Sequence, residues 1–305
     1  MTEPRTLDFS GHDFGGRDLR RVDFSECNLS RARLVGADLS YSDLTDADLA
    51  GADFSGARFF RSFLNGANLT QARFSDAEIR NSFLDGAQID RLDLSSARLI
   101  ESSMSHLDFR DVILKHTAFL TCTMIGGNLS GTDLTTCDFT ESNLSECDLT
   151  GATLAGARAD GCYFRRAILS GANCEGIHAE HSRFDEARLE RARFSHALLT
   201  SAHFEKASGE GADFNSCDLR ESGFAGADLR GARFAGSVLH YADFTGAKID
   251  AADFSEADLF SAQLHRATEQ ATQWARANLS RVHRTDRDRL IAETWKAGER
   301  PLWTS

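Results

Sequence analysis

From Phe9 to Leu264 every fifth residue is large and apolar, with few exceptions, and the residue two places before it is usually small. The stretch Phe184–Leu264 shows it best. There the fifth positions run Phe184, Leu189, Phe194, Leu199, Phe204, Gly209, Phe214, Leu219, Phe224 and on to Leu264, with Phe recurring mostly every ten residues. An α-helix repeats its buried face at 3.6 residues and a strand at 2.0, so neither gives a period of five. A short extended piece that buries two residues around an outward one, followed by a two-residue corner, does. The glycines mark the corner: 19 of the 24 fall two places after a large residue, where positive φ without steric cost is useful. If four such five-residue sides make one coil, positions two sides apart face each other and positions four sides apart stack, so Phe fills two facing columns.

The register holds without insertion over 52 fifth positions, 48 of them Leu, Phe, Ile or Met; the exceptions are Ala159, Cys174, Ala179 and Gly209. Units such as Ala-Asp-Leu-Ser-Tyr at 37–41, Ala-Asp-Leu-Ala-Gly at 47–51, Ala-Asn-Leu-Thr-Gln at 67–71 and Ala-Asp-Leu-Arg-Gly at 227–231 resemble the pentapeptide-repeat family. The resemblance covers residues 7–266 and implies an all-β solenoid, a right-handed quadrilateral β-helix of about 13 coils. The expected organisation is a lead-in over 1–8, the β-helix over 9–266 and a C-terminal cap or helix over 267–305.

Candidate chemistry changes this picture little. Six of the seven cysteines (27, 122, 137, 147, 162, 217) occupy the small inward position and Cys174 a large one, with no Cys-x-x-Cys, so they read as core packing in a reducing compartment. His178 and His181 flank Glu180, but neither has a histidine one coil away, which argues against a metal ladder. No nucleophile elbow or phosphate loop occurs. No catalytic residue, metal or cofactor is expected. The N-terminus lacks a signal-peptide core and no apolar run is long enough to span a membrane, so a cytoplasmic protein is expected.

Sorted by side, the outward residues divide. The side whose large residues include Leu19, Leu39, Phe59 and Leu259 exposes Tyr41, Phe60, Ile100, Leu120, Leu198, Val238, Tyr241 and Phe260, a candidate protein-contact surface led by Tyr41, Phe60, Tyr241 and Phe260. The next side carries Asp23, Glu26, Asp43, Asp46 and Asp85 before its first base, Arg165. The stretch 92–127 is irregular: Leu92, Leu107 and Val112 replace small residues, and Met104 and Met124 hold large positions. After Leu264 the repeat is expected to end, because Glu269 and Trp274 do not suit its large positions. A helix is expected from a Thr285 cap, with Asp288 completing a capping box and Leu290, Ile291, Thr294 and Trp295 on one stripe. This tail, with Trp274, Leu290, Ile291 and Trp295, either caps the solenoid or pairs two chains.

The reading that follows is a non-enzymatic, rigid protein-binding scaffold of the bacterial cytoplasm. A second is an acidic DNA mimic that binds a type II topoisomerase, DNA gyrase, and inhibits it or protects it from drug or toxin, as the resemblance implies; a third, by family analogy, is an accessory or immunity protein of a secretion or toxin system. Direct nucleic-acid binding is not expected at a net charge of −12. Residues 1–264 hold 41 acids and 26 bases. Over a rod of roughly 60 Å that is about one net charge per 4 Å, against one per ~1.7 Å for duplex DNA.

Overall fold

A computed structural model describes residues 7–294. The chain winds so that, with two exceptions, each outward residue pairs in parallel with the outward residue four units further on, from Asp8↔Asn28 to Gln263↔His283. Four three-residue strands, β1 (Arg58–Phe60), β2 (Glu78–Arg80), β3 (Arg98–Ile100) and β4 (Ala118–Leu120), form one parallel sheet in that order and register. One coil therefore takes four five-residue units, and a corner closes each unit.

All 19 phase-matched glycines have φ between +63° and +73°, and 34 other residues, among them Arg21, Asp46 and Tyr241, share that left-handed corner. A side chain there costs about 1 kcal/mol. The corner is repaid with a turn bond such as Ala57 N to Phe54 O (2.9 Å) and a bond to the next coil such as Gly56 N to Ser75 O (2.8 Å).

The interior is filled as the ten-residue Phe period requires. Phe164, Phe184, Phe204, Phe224 and Phe244 stack at 4.7–4.8 Å, Phe194, Phe214, Phe234 and Phe254 at 4.7–5.0 Å, and the two columns meet edge to face. Aromatic pairs in both geometries add to plain burial. All seven cysteines are buried and unpaired. Desolvation pushes the thiols of Cys122, Cys137, Cys147, Cys174 and Cys217 up to about 12, as for inert core residues.

Three expectations need correction. First, the coil does not end at Leu264 but runs to His283. Trp274 takes a large position and stacks on Phe254 at 4.7 Å, while the Arg284 guanidinium lies over its other face and pairs with Glu269. A terminal coil has one free face, so the charged and indole groups that would crowd an inner coil fit here. Second, Asp286, not Thr285, caps the helix α1 (Arg287–Thr294): its carboxylate accepts from Arg289 N at 2.9 Å, while Thr285 Oγ1 accepts from Arg266 N at 3.0 Å. Third, the break in the regular coil reaches beyond 92–127 on both sides and coincides with enlarged inward residues. Leu92, Val112 and Thr132 stack in a column that is otherwise alanine from Ala32 to Ala72 and from Ala152 to Ala252. Leu92 and Val112 still keep the coil step, Ile113 N donating to Leu92 O at 2.9 Å, but the step from Val112 to Thr132, both β-branched, does not. The ladder lacks the Ile113–Asp133 pairing at that step, and the Gln88–Asp108 pairing beside Leu107, which replaces a small residue in the neighbouring column. Among the described corners from Gly11 to Arg281, only Asp111 and Thr136 leave the left-handed region. A slot of about 430 Å³ opens between Val112–Lys115 and Gly131–Thr136.

At the corners after β1 and β2 the turn bond is absent, and a buried serine one coil on replaces it: Ser62 N donates to Ser82 Oγ (3.1 Å), and Ser82 N to Ser102 Oγ (3.2 Å). Ser82→Ala would leave a buried amide without a partner. It is expected to destabilise the protein by about 1–3 kcal/mol in denaturant unfolding, although alanine is the commonest residue at this position. The slot makes a second expectation: the amides of Leu114 and Asp133 exchange with deuterium faster than those of Leu94 and Leu154, which are bonded across coils.

Candidate binding surface

Each side offers one outward residue per coil, and Asp and Asn are common there for a local reason. The carboxylate or amide oxygen accepts the backbone N–H two residues on and so ties down the corner, as in Asp23 to Ser25 N (3.0 Å), Asn28 to Ser30 N (3.0 Å), Asp43 to Thr45 N (2.9 Å) and Asn68 to Thr70 N (3.1 Å). The Ser25 hydroxyl and amide together hold the Asp23 carboxyl below its usual range. Asn performs the task as well as Asp, so the charge is additional to the structural role.

The predicted acidic residues do share one side. Asp23 and Asp43 are bridged neighbours, one coil apart. Glu26 and Asp46 are left-handed corners beside them. Asp85 reaches to the next coil, accepting from Ser103 Oγ and Ser105 N at 2.8 Å each. None of the five has a Lys or Arg within ion-pair distance among the described residues, whereas Asp13, Asp18, Asp108, Asp213 and Asp228 all do. The five span only residues 23–85.

The apolar side is less unified than its count implied. Tyr41 meets Phe60 edge-on at 5.3 Å, with Arg21 and Arg61 over the two rings. Tyr241 meets Phe260 at 5.8 Å with Arg281 over Phe260. The two pairs stand ten coils apart, about 48 Å at the ~4.8 Å strand spacing, so they do not form one patch. Cationic groups also cover part of their ring faces.

The feature missed in the sequence lies on the acidic side. Phe63 and Phe83 occupy outward positions, are each 42% exposed and stack at 5.6 Å with 9° between ring planes. Tyr163 is exposed further along the same column. Phe at two outward positions one coil apart was the signal available.

At the C-terminus, α1 is moored to one corner. Glu293 accepts from His265 (3.0 Å), which is almost fully buried, pairs with Arg266 (3.5 Å), and bonds Arg289 one turn back (2.8 Å). Leu290 and Ile291 are half-buried, and Trp274 belongs to the last coil; Trp295 lies outside the described residues. Among the described residues no group of three His, Cys, Asp or Glu side chains could hold a metal, and no helix is long and apolar enough to cross a membrane.

Comparison with known proteins gives a consistent family. The model described as a pentapeptide repeat region matches residues 157–234, and the one described as pentapeptide repeats (8 copies) matches 18–56, 52–89, 122–154, 224–255 and 239–268. No curated protein matches the chain. Solved structures with likeness include a pentapeptide repeat protein of the Arabidopsis thaliana thylakoid lumen, at 33% identity over 29% of this chain and 66% of that one, TM-score 0.26. HetL of the cyanobacterium Nostoc sp. strain PCC 7120, involved in heterocyst differentiation regulation, is 20% identical over 91% of both chains, TM-score 0.25. QnrB1, a plasmid-mediated fluoroquinolone resistance protein, is 19% identical over 71% of this chain and 95% of that one, TM-score 0.33.

The mooring of α1 is testable by acid. The His265 bond, then Arg289, holds the Glu293 carboxyl down to about 2 from an ordinary 4.5. A lowered carboxyl stabilises docking fully above pH 4.5, and the contribution is lost as pH falls through about 2. Glu293→Gln should therefore loosen α1 at neutral pH, seen as faster amide exchange over 287–294 with the coils unchanged. In the wild type the same loosening should develop between pH 4.5 and 2.

Proposed function

The chain belongs to the pentapeptide-repeat family, and from that premise we propose that it is a rigid, non-catalytic scaffold of the bacterial cytoplasm that binds a protein partner through its N-terminal acidic side. One observation carries this: Asp23, Glu26, Asp43, Asp46 and Asp85 stand together without a single basic partner among the described residues, on a rod that pairs many of its other carboxylates. Side chains fill the interior along the length of the rod, so recognition falls to its outside. Columns fixed by the ladder hold their groups at set spacings, which lowers the entropy cost of binding. The seven buried, unpaired thiols fit a reducing cytoplasm.

A second reading keeps the same residues and makes the partner a type II topoisomerase such as DNA gyrase, with the acidic column standing in for phosphates. The uncompensated charge favours it; its extent does not. From residue 23 to residue 86 the rod advances about three coils, roughly 15 Å. That is the length of about four base pairs, with about one charge per 3 Å against one per ~1.7 Å. The scaffold reading is preferred for that reason.

Both readings meet in one set of experiments with the Asp23→Asn, Glu26→Gln, Asp43→Asn, Asp46→Asn variant. Asparagine retains the corner bonds at 23 and 43, so folding is expected to be unchanged by circular dichroism. On the scaffold reading, affinity capture with the wild type retains basic proteins at low salt that the neutral variant loses, and gyrase supercoiling is unaffected at any concentration. Salt-sensitive inhibition or quinolone protection of gyrase that the variant lacks would move the assignment to mimicry. Identical behaviour of wild type and variant in both assays would end the acidic-side reading.

A further inference from the structure

On the acidic side, the exposed column runs Asp23, Asp43, Phe63, Phe83, Ser103, Thr123. The two phenylalanines are costly there. An Asp or Asn would accept the corner N–H two residues on, as Asp43 does for Thr45; Phe cannot, and Asn65 Oδ1 beside Phe63 is buried without a hydrogen-bond partner. The protein thus forgoes the local corner bond at two consecutive coils while leaving both rings more than a third exposed. Features that break a local rule without a compensating gain in the fold point to function. Stacked on each other, the rings turn their edges outward as one apolar ridge, flanked by corners Gly66 and Gly86 that carry no side chain. The Asp46 carboxylate lies against the Gly66 corner. Next to the ridge come Asp43, then Asp23 and Glu26, with Asp85 on its flank.

We propose that the Phe63–Phe83 ridge and the acids beside it form the docking site for a basic amphipathic helix lying along the rod. This rests on the reading of the acidic side as a binding surface and specifies its partner's chemistry. The spacing favours a helix over other shapes. One helical turn advances about 5.4 Å and one coil ~4.8 Å, so successive turns meet successive coils. Apolar residues at i and i+4 cover the two rings, and Lys or Arg one and two turns further meet Asp43 with Asp46, then Asp23 with Glu26. An apolar anchor ringed by complementary charge is the arrangement in which a few residues carry most of the binding energy.

The test uses the full chain and two fluorescent helical peptides, each about four turns long and with identical lysines, one with leucines at i and i+4 and one with alanines there. Anisotropy is read at two salt concentrations for wild type, for Phe63→Ser with Phe83→Ser, and for the four-acid neutral variant. Serine already stands in this column at Ser103, so the Phe variant is expected to fold, checked by circular dichroism. The wild type should bind the leucine peptide at least tenfold more tightly than the alanine peptide. The Phe variant should lose that tenfold and keep its weak, salt-sensitive alanine-peptide binding; the neutral variant should lose affinity for both. A Phe variant within twofold of wild type, while the neutral variant is weakened, overturns the ridge but leaves the acidic-side reading standing. Failure of wild type to bind either peptide overturns the helix proposal, and failure of the neutral variant to differ from wild type overturns both.

Discussion

The hydrogen-bond ladder between coils is the constraint from which everything else in this protein follows. Bonds such as Leu34 N to Asp53 O and Asp53 N to Ala32 O tie each coil to the next at strand spacing. Whatever points inward must then fit a slab of that thickness. Large residues stack flat, as the phenylalanines do, and the positions between them must be small. Where Val112 meets Thr132, and beside Leu107, the second condition fails and the ladder itself opens. A solenoid gives immediate evidence of a volume error because each coil touches only its two neighbours, with no remote part of a core to absorb the strain.

The same economy explains the surface. Nearly every Asp or Asn at the centre of an outward face completes a corner before it does anything else, so much of the negative charge there is a by-product of corner chemistry. Binding is then better sought where a residue departs from that task or where its charge is left uncompensated. Phe63 and Phe83 satisfy the first condition and Asp23, Glu26, Asp43 and Asp46 the second, and they are contiguous. The aromatic pairs at Tyr41 and Tyr241 lie ten coils apart and are partly shielded by arginines.

Much of this was legible in the chain because the period is a packing rule written once per five residues. The corner glycines, the facing Phe columns and the inward cysteines could all be read directly. What could not be read was whatever depends on the position of a residue relative to its neighbour one coil away. Ser62, Ser82 and Ser102 look like ordinary small residues until the latter two are seen bonding the amide of the coil before. Thirty-four corners without glycine turn left-handed all the same, because the ladder dictates their φ. Trp274 is foreign to an inner coil and fits only where the stack ends, between Phe254 and Arg284. Phe63 and Phe83 do not stand out in a count of exposed residues by side, because distance along one column decides whether they meet.

The four-unit register also governs how such a chain tolerates changes in length. Removal or duplication of one whole coil within the regular part shortens or lengthens the rod by one step and leaves every downstream side in line. Loss of a single five-residue unit preserves the inward and outward order, yet it turns everything beyond it by a quarter revolution. The interior would survive such an event; the alignment of the ridge at Phe63 with the acids at Asp23 and Asp43 would not if it fell between them. Surface geometry, and not foldability, is therefore what makes an unbroken register from Phe9 to Leu264 worth keeping.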